Sequence, residues 1–199
     1  MKALYAGALA VLFVGCAPEW AGPYPPRGVP VQGPGRAAPA LPADRLAYAV
    51  HQRANAARAA RGLRPLGWRG PLAGVAGRHS RDMAARSYFD HRSPEGATPT
   101  DRARQRGVAC RARTPGGQTR VGVAENLFLS TRYHSYRTLP GGRREYQWLP
   151  PDQIAAQAVE AWMRSPGHRA NLLDPASSGH GIGVAVSPDH RVYITAVLC

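Results

Sequence analysis

Val75, Ala76, His79 and Met83 lie 3, 4, 7 and 11 positions after Leu72, the spacing of a single helical face. That stripe predicts an amphipathic helix turned toward a core. It is expected to start near Gly70-Pro71 and to end near Tyr88, because the turn cluster Ser93-Pro94-Glu95-Gly96 follows. His91 then stands on the loop beyond, held by the aromatic pair Tyr88-Phe89 yet reachable. An earlier helix is predicted over 44–60, with Asp44 as its N-cap, Leu46, Val50, Ala54 and Ala57 on one face, and Gly62 as its stop. Leu66 and Trp68, in the connector, are expected to pack on both helices. Residues 100–106 read as a third, shorter helix ending at Gly107, with Thr98 or Thr100 as its cap.

Further along, the pattern changes period. The run 121–129 is apolar and β-branched, which suits a strand, with Glu125-Asn126 set inside it. A carboxylate in such a place is seldom buried without a partner. Residues 130–150 carry Tyr133, His134, Tyr136, Tyr146 and Trp148 around Gly141-Gly142 and read as an irregular insertion over one face of the domain. Pro151-Asp152 opens a helix with Ile154, Ala155, Ala158, Val159 and Trp162 at helical spacing. Ser165-Pro166-Gly167 should end it and leave His168 on the turn that follows. Residues 181–187 and 191–198, joined by Pro188-Asp189-His190, read as a β-hairpin. Long helices around a few strands without βαβ alternation predict an α+β sandwich with a mostly antiparallel sheet.

Composition adds a setting. The chain has 199 residues, enough for one domain with a proper core. Its formal net charge is +14, carried almost wholly by arginine, since Lys2 is the only lysine. A pI near 10.9 implies attraction to anionic lipid head groups, polymers or nucleic acid, although scattered arginines also describe an ordinary solvated basic face. Lys2 followed by the apolar residues 3–14 has the form of a secretory signal, too short to span a bilayer. Phe13-Val14-Gly15-Cys16 resembles a bacterial lipobox, which makes Cys16 a lipidation site and gives a membrane anchor; ordinary cleavage after Ala17 is the alternative. Residues 17–42 are rich in Pro and Gly without apolar period and read as an extended tether, leaving 43–199 as the folded domain. Cys110 and Cys199 then form an even pair in an exported chain, so a disulfide is expected. Closing a loop of about 90 residues would stabilise the fold by roughly 4–5 kcal/mol on the chain-entropy view.

Four segments carry a resemblance: His79-Ser-x-Asp-Met-Ala with Tyr88-Phe-x-His91, Glu125-Asn-Leu127, Trp162-Met-x-Ser-Pro-Gly-His168-Arg, and Gly181-Ile-Gly-Val184. In order and spacing, over about residues 43–199, they resemble the CAP superfamily, the SCP-like cysteine-rich secretory and pathogenesis-related proteins, in its bacterial extracellular branch. The resemblance implies a three-layer α-β-α sandwich with a cleft lined by His, Glu, Glu and His. His91, Glu125 and His168 match three of those places. Ser165 stands where animal members carry the second glutamate, and Glu160 is not a substitute by position. The resemblance allows zinc or another divalent metal on His91 and His168, although none is required. Against it stands a metal-free polar cluster in which Glu125 accepts a hydrogen bond from one histidine.

The remaining histidines are weaker candidates. His79 faces inward and reads as a core histidine; His180 lies near enough to a strand to approach the cleft; His51, His134 and His190 have no evident partner. No nucleophile elbow, P-loop or dinucleotide fingerprint occurs, and Ser80 after His79 is not a triad. The expected function is therefore a non-enzymatic envelope module binding an anionic lipid, glycan or polymer. The alternative is a metal-dependent hydrolase with Glu125 as base between His91 and His168. Specific nucleic-acid binding is not expected, because aromatics interleave with arginines only loosely, in 132–148.

Overall fold

The computed structural model describes residues 38–114 and 116–199. The expected secretory signal, the expected lipidation site Cys16 and most of the expected tether lie outside the described residues. Helices α1 (Ala43–Ala59), α2 (Gly70–Arg86) and α3 (Pro99–Gln105) precede strands β2 (Arg111–Arg113), β3 (Thr119–Val121) and β4 (Ala124–Thr131), with the short strand β1 (Gly67–Trp68) before α2. Then come β5 (Tyr133–Thr138), β6 (Arg144–Trp148), α4 (Pro151–Arg164), α5 (Pro166–Leu172), β7 (Gly179–Val186) and β8 (Arg191–Leu198). The central sheet has the order β1-β7-β8-β4, antiparallel except for the two-residue parallel pairing of β1 with β7.

Period-2 alternation in β7 and β8 sorts side chains to two helical layers. Ile182, Val184, Val192, Ile194, Ala196 and Leu198 join Leu46, Val50, Ile154, Ala158 and Trp162 beneath α1 and α4. On the opposite face Val197 meets Leu72, Val75 and Ala76 of α2, and Ala185 and Tyr193 meet Met83 and Ala84. The result is the three-layer α-β-α sandwich.

The α2 layer sits unusually close to the sheet. A Cβ added at Gly181 would lie 1.9 Å from the Ala73 nitrogen, and one at Gly183 would lie 2.1 Å from the Gly77 nitrogen. The close approach lets Ser80 Oγ reach the Gly183 carbonyl at 3.1 Å and Thr195 Oγ1 at 2.8 Å, satisfying buried hydroxyls.

Several local expectations are corrected. Pro42, not Asp44, is the N-cap of α1, and it makes no side-chain cap bond; Asp44 lies in the first turn, where a carboxylate meets the positive end of the helix dipole. Trp68 is exposed, although Leu66 is buried. Gly122, at φ +103, ends β3 and splits the run 121–129, so only its second part joins the main sheet. The cap of α3 is Thr98, in a reciprocal capping box with Asp101. Residues 130–150 are ordered: β5 and β6 pair antiparallel across a tight turn at Pro140–Gly142. Ser165 ends α4, and Pro166 then starts α5 at once, so His168 lies in the first turn of a helix. The two cysteines do pair, Cys110 with Cys199 at a Cα separation of 5.6 Å, which ties the end of β8 to the loop after α3.

The close packing of α2 on β7 generates a test. Gly183→Ala is expected to lose about 3 kcal/mol in urea unfolding, as overpacking against backbone does. Gly74→Ala, at an open position on the same helix, should instead gain about 0.5–1 kcal/mol. Equal effects at the two positions would refute the contact.

Candidate functional site

Glu125 is the second residue of β4, where pairing with Val197 on the interior strand β8 turns its side chain inward to 1% exposure. Its carboxylate has two hydrogen-bond partners and a third group nearby. Arg102 Nη2 donates to Oε2 at 2.6 Å, His91 Nδ1 lies 2.9 Å from Oε1, and His79 Nε2 is 3.9 Å from the same oxygen. The second guanidinium nitrogen of Arg102 donates to the carbonyls of His91 at 2.8 Å and Ala97 at 2.9 Å. One arginine from α3 therefore neutralises the buried charge and pins the loop that carries His91.

His91 is not held by the two aromatics. Phe89 is exposed, and the Tyr88 hydroxyl turns away to Asp82 at 2.5 Å. His79 is scaffold, as its inward position implied: its Nε2 lies 2.9 Å from the Asp90 carbonyl, and burial holds its pKa below the ordinary value. His79 and Arg102 also line a groove of about 620 Å³ between α2, the 93–97 loop and α3.

His168 comes to the same place from the other side. Its ring centroid is 6.1 Å from that of His91, and burial together with the nearby His91 lowers its pKa, favouring neutral imidazole. The first turn of α5 is fixed to β4 by amides: Asn126 Nδ2 donates to the His168 carbonyl at 2.9 Å, and Asn171 Nδ2 donates to Asn126 Oδ1 at 3.0 Å and to the Glu125 carbonyl at 3.2 Å. Trp162 Nε1 adds a bond to the Leu127 carbonyl at 2.9 Å. Ser165 sits half-buried at the junction of α4 and α5, and among the described residues its hydroxyl makes no hydrogen bond.

Three expected residues are thus brought together, and Ser165, matched by the resemblance to the fourth place, supplies a hydroxyl in place of a carboxylate. Arg102 and Asn171 were missed, whereas His79 is the buried histidine that its inward position implied. The burial argument had called for a partner to Glu125, but nothing in the local pattern distinguished Arg102 from the many other arginines.

The donor set bears on metal. The Nδ1 of His91 faces Glu125 and its Nε2 is turned away from that carboxylate, the carboxylate–histidine arrangement found behind metal ligands. His168 supplies a second imidazole, which burial favours as neutral. Glu125 itself is taken by Arg102 and His91, and among the described residues no three His, Cys, Asp or Glu side chains are disposed to hold an ion. The residues fit a loose two-imidazole site and do not fit the three-ligand site of a catalytic zinc.

A second histidine pair lies apart from this cluster. His180 is fully buried with its Nε2 2.6 Å from His51 Nδ1, so His51 does have a partner. His190 also has company, edge-on to Tyr146 and Trp148 at 5.3 and 5.0 Å, whereas His134 is exposed.

Two outcomes are expected. Arg102→Leu strands a buried carboxylate and should lose about 3–5 kcal/mol in denaturant unfolding; a loss under about 1 kcal/mol would remove Arg102 as the compensating charge. Burial and the nearby His51 depress the pKa of His180 to about 3 from its ordinary 6.5. Above pH 6.5 both folded and unfolded chains carry it neutral. Below that the unfolded chain alone takes the proton, so stability falls as pH drops from 6.5 toward 3, by up to about 1.4 kcal/mol per pH unit. His180→Gln should flatten that slope in urea titrations between pH 7 and 4.

Comparison with known proteins bears on the family and the fold. A family model described as the cysteine-rich secretory protein family, CAP, matches residues 51–199. YkwD of Bacillus subtilis is 30% identical over 133 residues, 67% of this chain and 40% of its own length. An extracellular protein containing an SCP domain from Bacillus anthracis is 24% identical with a TM-score of 0.52, over 78% of this chain and 41% of that one. An outer surface protein of Borrelia burgdorferi is 14% identical with a TM-score of 0.55, over 79% of this chain and 94% of that one. The chain spans about two fifths of the length of both Bacillus proteins.

Proposed function

Because the chain belongs to the cysteine-rich secretory protein (CAP) family, we propose that it is an exported bacterial binding module of the cell envelope. Its His91–Glu125–His168 face takes a lipid, glycan or other envelope ligand without turning it over. One observation carries this reading: both oxygens of the cluster's carboxylate, the only one there among the described residues, are engaged, by Arg102 at 2.6 Å and by His91 at 2.9 Å. Those contacts commit the carboxylate to holding Arg102 and His91 in place. With a hydroxyl at Ser165, no second carboxylate stands in for it. Two imidazoles remain, one half-exposed and one half-buried, suited to hydrogen-bonding a polar group or to sharing a divalent ion. Zinc held by His91 and His168 would supply positive charge for an anionic group on the ligand.

Export is supported by the apolar segment 3–14 after Lys2 and by a cysteine pair at disulfide distance. Relatives described as extracellular or outer surface proteins share the fold. Lipidation at Cys16 would make the membrane the anchor. The net charge of +14 favours anionic envelope lipids or polymers as ligands.

The purified full-length chain is expected to bind extracted envelope lipids or cell-wall polymers at micromolar concentration, and His91→Ala to weaken that binding about tenfold, the equivalent of one good polar contact. Absence of any retained lipid or polymer would sink the proposal. Protein purified without chelators should take up added zinc weakly, with loss of uptake in His168→Ala. Zinc-dependent peptide or ester hydrolysis abolished by Glu125→Gln would replace the binding reading with the hydrolase.

A further inference from the structure

The β5–β6 hairpin forms its own two-stranded sheet, joined to the rest of the domain at its base through the Arg132 backbone, which bonds the His190 carbonyl and the Leu149 amide at 2.8 Å each. An isolated two-stranded hairpin is marginal in water unless its side chains hold it. Here an irregularity between Tyr133 and Ser135 admits His134 as an extra residue. Tyr133 and Tyr136, three apart in sequence, would otherwise point to opposite faces; the bulge puts them on the same one.

The two faces then differ completely. One carries Tyr133, Tyr136, Tyr146 and Trp148 in mutual contact, with centroids from 4.9 to 6.4 Å apart. Arg132 lies over Trp148 at 5.3 Å and Arg144 over Tyr136 at 4.6 Å. The other face is polar and self-paired, Ser135 with Gln147 and Arg137 with Glu145. On the aromatic face neither Arg132 nor Arg144 has an acidic partner among the described residues, and the nearby Asp189 is paired with Arg191 at 2.9 Å. None of the three phenol hydroxyls makes a hydrogen bond among the described residues.

We propose that this face is a docking surface for an anionic polysaccharide, separate from the histidine cleft and independent of the reading given to it. Charge complementarity supplies the anion: two cations lie on the ring faces with no carboxylate assigned to them. The ring edges supply the rest, because free phenol and indole donors match an extended chain of hydroxyls. Trp148 is covered by Arg132 and by Tyr146, stacked at 4.9 Å, so the cluster shows edges with Tyr136 as its one well-exposed ring. Single-stranded nucleic acid needs successive open faces and is disfavoured. A bilayer is disfavoured too, since the turn is Pro140-Gly141-Gly142-Arg143 and offers no apolar tip to insert.

The test uses the full-length chain and polygalacturonate as probe at physiological salt, beside polyphosphate, neutral dextran and oligo(dT), by calorimetry. Polygalacturonate should bind about tenfold more tightly than polyphosphate of equal charge, because charge alone is screened. Tyr136→Ala and Arg144→Gln should each weaken it about five- to tenfold, the range of an exposed aromatic or cation–π anchor. Arg137→Gln on the opposite face should leave it unchanged. Tyr136→Phe, which keeps the ring and the hairpin, should cost about twofold to threefold for one lost hydroxyl contact, so the proposal stays testable if Tyr136→Ala loosens the hairpin. Equal affinity for polyphosphate with no effect at Tyr136 would reduce the surface to net charge. Tighter binding of oligo(dT), or no binding of polygalacturonate, would overturn the assignment.

Discussion

Moving the Glu125 carboxylate out of water costs several kcal/mol unless a cation comes with it, and Arg102 is that cation. The pair makes the rest of the site follow. To reach Oε2, α3 must lie against the end of β4, which its capping box at Thr98 helps to fix. The spare guanidinium nitrogen then captures the carbonyls of His91 and Ala97, so the loop after α2 closes over the carboxylate. His91 completes the set with its Nδ1. Orientation of the imidazole is therefore a consequence of charge compensation, with no dedicated aromatic clamp.

The same accounting for buried polar groups explains how α5 arrives. Asn126 has no exposure, and its amide finds the His168 carbonyl on one side and Asn171 on the other. Since an unpaired buried amide would cost about 1–3 kcal/mol, the first turn of α5 is drawn onto β4. His168 is thereby delivered to within one ring contact of His91. Two amides and one arginine assemble histidines that are 77 positions apart in the chain.

Away from the site, burial of a different kind sets the architecture. Glycines at 181 and 183 let α2 lie on the sheet nearly backbone to backbone, and the alternation of β7 and β8 then divides the core between two helical layers. The β5–β6 arm lies outside this economy of space. Its aromatic side chains pack mainly on one another, on His190 and on arginines, which accounts for a face rich in rings yet half open to solvent.

The main helices, the closing hairpin and an α+β sandwich were legible from the sequence because periodicity reports directly which side of an element is buried, and the three layers through the resemblance to a family. His91, Glu125 and His168 were legible too, through motifs whose order and spacing resemble a family. Short-range rules failed where two signals competed: Ser165-Pro166-Gly167 stops one helix and starts another, and a proline at the first helical position serves both readings. The aromatic run 130–150 lacked strict alternation because one bulged residue breaks the period, so it read as irregular. Tertiary structure alone decided which of many arginines meets Glu125, that His51 and His180 face each other, and that the rings of 133–148 gather on one side. Those outcomes depend on distances between segments far apart in the chain, and a carboxylate or an imidazole carries no mark of its partner until the fold has closed around both.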